Sequence, residues 1–141
     1  MSWRNFAFQF LGLLVLLLPM TTIADAADQF SGSWTWSSGD ESFELTLKQN
    51  GSSITGYHSA VGQNGMKVDE VEESDVPSIA GQVKDAVATV KFRSGYPDST
   101  GGGIATLMLH GQALDWQIVK SEGEHYLPKK VRLRRTDQKK P

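Results

Sequence analysis

The chain has 141 residues, a formal net charge of −2, 39% hydrophobic and 21% charged residues, and no cysteine. That length supports one domain with a modest core, and the near balance of charge gives no general case for a nucleic-acid partner. The lack of cysteine excludes a disulfide-stapled fold, a cysteine nucleophile and a lipobox-anchored lipoprotein, so stability must come from packing.

Met1 to Ala26 has the pattern of a cleavable signal peptide. Arg4 gives a positive start, Phe6 to Leu18 is apolar apart from Gln9 and Gly12, and Pro19 ends the run. Ala24-Asp25-Ala26 then places small residues where a signal peptidase reads them. The apolar run is short of the ~20 residues that span a bilayer, so no membrane span is expected. The protein is expected in the periplasm or secreted, with residues 27–135 as a single domain and 136–141 as a basic tail.

Strand patterns follow in order. The first carries Trp34 and Trp36 on one face, with Thr35 and Ser37 on the other. Phe43, Leu45 and Leu47 then alternate with Glu44, Thr46 and Lys48, the period of a strand with one buried face. Asn50-Gly51 is expected to supply the positive-φ residues of a type I′ turn, after which Ile54, Gly56 and Tyr57 open a return strand. Asn50-Gly51-Ser52 also matches a glycosylation sequon, but the turn accounts for the same residues. Gly62 to about Val76 reads as a long acidic loop holding Asp69, Glu70, Glu72, Glu73 and Asp75.

Ser78 to Val83 and Ala86 to Arg93 pair across Lys84-Asp85, the latter with Ala86, Ala88, Val90 and Phe92 on one face. Tyr96 to Gly103 is a turn-rich loop, and Ile104 to Leu109 leads through Gly111-Gln112 into Ala113 to Lys120. There Leu114, Trp116 and Ile118 alternate with polar neighbours. Ser121 to His125 connects to Lys129 to Arg135, with Val131 and Leu133 inward and Lys130, Arg132 and Arg134 outward.

No segment has a 3.6-residue apolar period. The expected fold class is therefore all-β, an eight-stranded antiparallel up-and-down β-barrel after a cleavable signal peptide. Closure of such a meander removes its edges, and its interior is filled by side chains or holds one small ligand. Nothing in the chain announces catalysis: there is no Gly-x-Ser-x-Gly elbow and no Ser-x-x-Lys, and Gly101-Gly102-Gly103 precedes a strand rather than a helix. His58, His110 and His125 lack metal-ligand spacing, and the acidic loop lacks the pattern of a calcium hand. No catalytic residue, metal or cofactor is expected, and the protein is read as a non-enzyme.

Gly32-Ser33-Trp34, taken with Arg132 and Arg134 in the last strand, resembles the signature of the calycin superfamily, which includes lipocalins, fatty-acid-binding proteins and avidins. The resemblance implies that Trp34 closes one barrel end beneath an arginine of the final strand. An indole in that position can take a guanidinium on its face while the fork bonds nearby carbonyls. More locally, Ile54 to Gly62 is similar to the third-strand segment of avidin and streptavidin, which implies Tyr57 and Ser59, with Gln63 or Asn64, around the polar head of a ligand. The chain has one residue fewer between Gly56 and Tyr57 than that pattern, and such a slip reverses which side chains point inward. Only Trp116 matches a pocket tryptophan of that family, and no counterpart of its last pocket aspartate is present.

The function expected is therefore an exported, non-catalytic binding protein holding a small, partly apolar ligand, with Trp36, Tyr57, Ser59 and Trp116 as its contacts. The alternative is a protein-binding or envelope-associated module with a filled core, inhibitor-like, acting through its loops. Recognition would then fall to the acidic loop from Asp69 to Asp75 or to the basic end from Lys129 to Lys140.

Overall fold

In the structure, a computed structural model, residues 29–136 are described. The signal-peptide expectation and most of the basic tail lie outside them. The alternating segments form nine antiparallel strands: β1 Gly32–Ser38, β2 Glu41–Asn50, β3 Ser53–Gly62, β4 Lys67–Glu70, β5 Ile79–Lys84, β6 Val87–Arg93, β7 Gly102–His110, β8 Ala113–Glu122 and β9 Lys130–Arg135. Eight of them close into an up-and-down barrel, since β2 pairs β3 and β9 pairs back onto β1. No helix among the described residues is long and apolar enough to cross a membrane.

The ninth strand, β4, is not a stave. β3 pairs β5 through Ser53–Gly56 and β4 through Ser59–Gly62, so β4 takes over the upper half of that edge. The segment expected as an acidic loop thus contains a short strand. A second correction concerns the β2–β3 turn. Asn50 and Ser53 form the last rung, Gly51 and Ser52 make the turn, and of these Gly51 has a positive φ of 61°. Positive φ at the first turn position alone is the type II′ pattern rather than type I′.

Inward positions fill the barrel. Phe43, Leu45, Leu107, Leu114, Trp116 and Leu133 are all fully buried. Trp116 meets Phe43 edge-on at 5.1 Å between centroids and Phe92 at 5.7 Å, so aromatic rings occupy the axis itself. At one end the hairpin turns are tight. Here Trp34 is buried, its indole Nε1–H donates to the Phe30 carbonyl at 2.9 Å, and Phe30 lies beneath the same core.

The arginine over Trp34 is Arg135, and neither Arg132 nor Arg134 takes that place. Its guanidinium sits 4.1 Å from the ring centroid and donates to the carbonyls of Ser31 (2.6 Å) and Gln29 (2.8 Å). Strand parity is the reason: Arg135 shares the inward face with Val131 and Leu133, whereas Arg132 and Arg134 are exposed on the outer one. Gly32 completes the arrangement. Its φ is +126°, and a Cβ there would stand 2.8 Å from the Arg135 guanidinium, so a side chain would displace the arginine from the indole.

Candidate functional site

The opposite end of the barrel carries the long connections, and one carboxylate gathers them. Asp69 of β4 is fully buried. Its Oδ1 accepts from His58 Nε2 (2.9 Å) and the Gly95 amide (2.7 Å), and its Oδ2 from the Ser94 hydroxyl (2.7 Å) and the Tyr126 amide (2.9 Å). Burial pushes the Asp69 pKa up, but the bonds from His58, Tyr126, Ser94 and Gly95 outweigh it and hold the carboxyl at about 2. With the carboxylate as acceptor, His58 Nε2 carries a proton, and in the neutral ring Nδ1 accepts from the Ser78 hydroxyl at 2.8 Å. Asp69 thereby ties β3, the approach to β5, the β6–β7 loop and the β8–β9 loop into one assembly.

The Ser78–His58–Asp69 chain has the group order of a nucleophile, base and orienter. The His58 and Asp69 side chains have no exposure, however, and Ser78 is 3% exposed. A substrate carbonyl has no approach to the Ser78 hydroxyl while the loops are in place, so the arrangement serves to hold them.

Against this scaffold lies a cleft. β1 and β9 share two rungs, Trp34↔Arg135 and Thr35↔Arg134, and the first half of β9 has none with β1. Toward the loop end a cavity of about 580 Å³ opens between Trp36 on one side and Lys130, Val131 and the β8–β9 loop on the other. That volume lies within the range of small-molecule sites. Tyr126, held by its amide to Asp69, forms part of the wall, and Pro128, whose carbonyl accepts from Trp116 Nε1 at 2.8 Å, forms another. His125 lines the cleft and packs edge-on against Phe92 at 5.4 Å. Its Nδ1 is buried without a hydrogen-bond partner.

Beside the cleft stands an aromatic cluster. The rings of Tyr96 and Tyr126 meet at 4.8 Å, and Lys67 Nζ approaches both while donating to the Tyr96 hydroxyl at 3.0 Å. That bond to Tyr96 raises the Lys67 pKa above its ordinary value. The Tyr126 hydroxyl donates to Glu124 at 2.6 Å, which raises the phenol's pKa.

The four contacts expected from the sequence therefore separate. Trp36 does line the cleft, half-buried against the core. Trp116 is wholly buried, and its part is to fill the axis and fix Pro128. Tyr57 and Ser59 face away from the barrel. Tyr57 donates to the Asp75 carbonyl and Ser59 to the Glu70 carboxylate, both at exposed positions. The reason is register: Leu45 and Leu47 point inward opposite His58 and Gly56, so the inward residues of β3 are the even-numbered ones. Gln63 reaches the cleft rim from the β3–β4 turn. Asp69 is withdrawn from the surface acids, which leaves Glu70, Glu72, Glu73 and Asp75 exposed.

Sequence reasoning missed Asp69, His58 and His125. Nothing distinguishes Asp69 from its acidic neighbours along the chain, whereas His58 follows from hairpin parity opposite Leu45. Among the described residues, no group of three or more histidine, aspartate and glutamate side chains is arranged to hold a metal ion. Compared with known proteins, the chain matches no family model, no curated protein and no solved structure. The barrel is compatible with a calycin-like architecture on its own geometry.

Proposed function

We propose that the protein is an exported, non-catalytic binding protein of calycin-like kind, which holds a small, partly apolar ligand in the cleft at the β1–β9 seam. The observation that carries this reading is the cleft of about 580 Å³, with Trp36 and Tyr126 as aromatic walls. The barrel axis is not the site in this reading, because Phe43, Trp116 and Phe92 occupy it. The avidin-like segment lends no support to a biotin-like head group, since Tyr57 and Ser59 leave the barrel. Gly32, Trp34 and Arg135 support the calycin-like assignment.

The filled axis also favours the second reading, a protein-binding module, with the exposed Glu70, Glu72, Glu73 and Asp75 as its steering surface. A thermal-shift screen of small amphipathic compounds separates the two. A ligand at a hundredfold excess over its Kd stabilises the folded state by about 2.7 kcal/mol. Stabilisation of the wild type that is lost in Trp36→Ala supports the cleft. Failure of every compound, with salt-sensitive capture of a protein partner that a Glu72→Lys/Glu73→Lys variant abolishes, supports the module.

A further inference from the structure

We propose that the ligand is a polyhydroxylated ring, a sugar or short saccharide, laid with its less polar face against Trp36; this rests on the cleft being the binding site. The polar complement of the cleft points there. Glu41 and Ser42 line it from the start of β2, Gln63 from the β3–β4 turn, and Gln117, on the exposed outer face of β8, from its edge. Among the described residues none of these four side chains makes a hydrogen bond or ion pair within the protein, although their neighbours Tyr126 and Trp116 are both engaged.

Their chemistry is that of mixed donors and acceptors. Each amide offers both an acceptor oxygen and an NH₂ donor, the hydroxyl offers both functions, and the carboxylate offers two acceptors. A hydroxyl group of a ligand is likewise donor and acceptor at once, so neighbouring hydroxyls on a ring are matched by side chains of this kind. They come from three elements, β2, the β3–β4 turn and β8, so polar groups border the cleft at more than one place.

Other ligand classes fit less well. An acyl chain needs a dry channel, and the one place a barrel supplies it is filled by Phe43, Trp116 and Phe92. Lys129 and Lys130 against Glu41 give the cleft mixed charge rather than the purely cationic lining of a dedicated anion site. The backbone of Gln63 is set by its turn. It sits at a φ of 53° in a turn closed by the Gly65 amide on the Gly62 carbonyl and the Met66 amide on the Gln63 carbonyl. The turn fixes where the Gln63 side chain leaves the backbone.

The test is a titration of the protein followed by ¹⁵N–¹H NMR at the Trp36 indole N–H. The probes are mono- to tetrasaccharides of glucose and of N-acetylglucosamine, with decanoate and benzoate as contrasts. A saccharide should move the Trp36 signal saturably. Gln63→Ala and Gln117→Ala, both surface changes that leave the thermal midpoint unaltered, should each raise its Kd by about fivefold or more. Movement of the same signal by decanoate or benzoate and by no saccharide would overturn the ligand class and leave the cleft standing. No movement with any probe would overturn the class and the cleft together.

Discussion

The two ends of this barrel are closed by different physics. At the tight-turn end Trp34 is fully buried, hydrogen-bonded to Phe30 and covered by the guanidinium of Arg135. At the loop end the closure is a single buried carboxylate, Asp69, which accepts four hydrogen bonds from β3 and from two loops. The first end holds by apolar burial and a cation over the ring. The second holds by directed bonds to a charge, so it is specific and depends on that charge. The candidate cleft lies at the second end, where three connections must be kept in fixed relation without being packed solid.

The largest expected effect strikes the first end. Trp34→Ala should destabilise the protein by ~3–5 kcal/mol, the usual cost of removing a large core aromatic. It leaves the Phe30 carbonyl without its indole donor and Arg135 without its ring. Denaturant unfolding measures this directly. An unchanged midpoint would mean that the barrel does not depend on the plug.

Asp69→Asn is the matching change at the second end and should cost ~2–3 kcal/mol, because hydrogen bonds to a charged acceptor are replaced by weaker ones and one donor of the amide faces donors. Its distribution is the sharper test. Hydrogen exchange of the Gly95 and Tyr126 amides should accelerate, while the Trp34 indole stays protected. Equal acceleration at both ends would show that they open as one unit.

Acid should reproduce part of that loss without a mutation. The Asp69 pKa is lowered from 3.8 to about 2 in the folded protein. A depressed folded value stabilises above the unfolded pKa and is lost as pH falls through the folded one. The contribution, ~2 kcal/mol by the usual conversion, should be complete above about pH 4 and disappear towards pH 2. Unfolding midpoints from pH 2 to 6 should therefore fall less steeply in Asp69→Asn than in the wild type. Parallel curves would assign the acid sensitivity to other carboxylates.

The first end was far more legible in the sequence than the second. Alternation in Phe43, Leu45 and Leu47, in Leu114, Trp116 and Ile118, and in Val131 and Leu133 marks the staves and their inward faces, and Gly32-Ser33-Trp34 marks the plug. The same alternation, carried one step past Leu133, points to Arg135 rather than to its outward neighbours. It also turns His58 inward and Tyr57 outward once the hairpin rungs are counted from Asn50 and Ser53. Asp69 has no such signal. Its partners stand 11, 25, 26 and 57 residues away, and its burial is set by where those loops meet rather than by any local period. The cleft was hidden for the same reason, since Trp36, Gln63, Gln117 and His125 come from four different elements.

The smallest expected effect separates two arginines three residues apart in β9. Arg135 lies 4.1 Å from the Trp34 ring and donates to two carbonyls of the entering chain. Arg135→Ala should cost ~1–2 kcal/mol, from a cation–π contact of ~0.5–1 kcal/mol and two charge-assisted bonds near the surface. Arg132 makes a bidentate contact with Asp115 at 2.6 and 2.9 Å, but its side chain is 61% exposed. A pair so exposed contributes under ~1 kcal/mol and is weakened by salt. At high ionic strength the Arg132→Ala penalty should therefore vanish while that of Arg135→Ala persists, and Arg135→Lys should fall between, because an ammonium cannot lie flat on the indole or fork to both carbonyls. If Arg132→Ala proved as costly as Arg135→Ala in salt, closure of this end would rest on the outer face of β9 and not on the covered tryptophan.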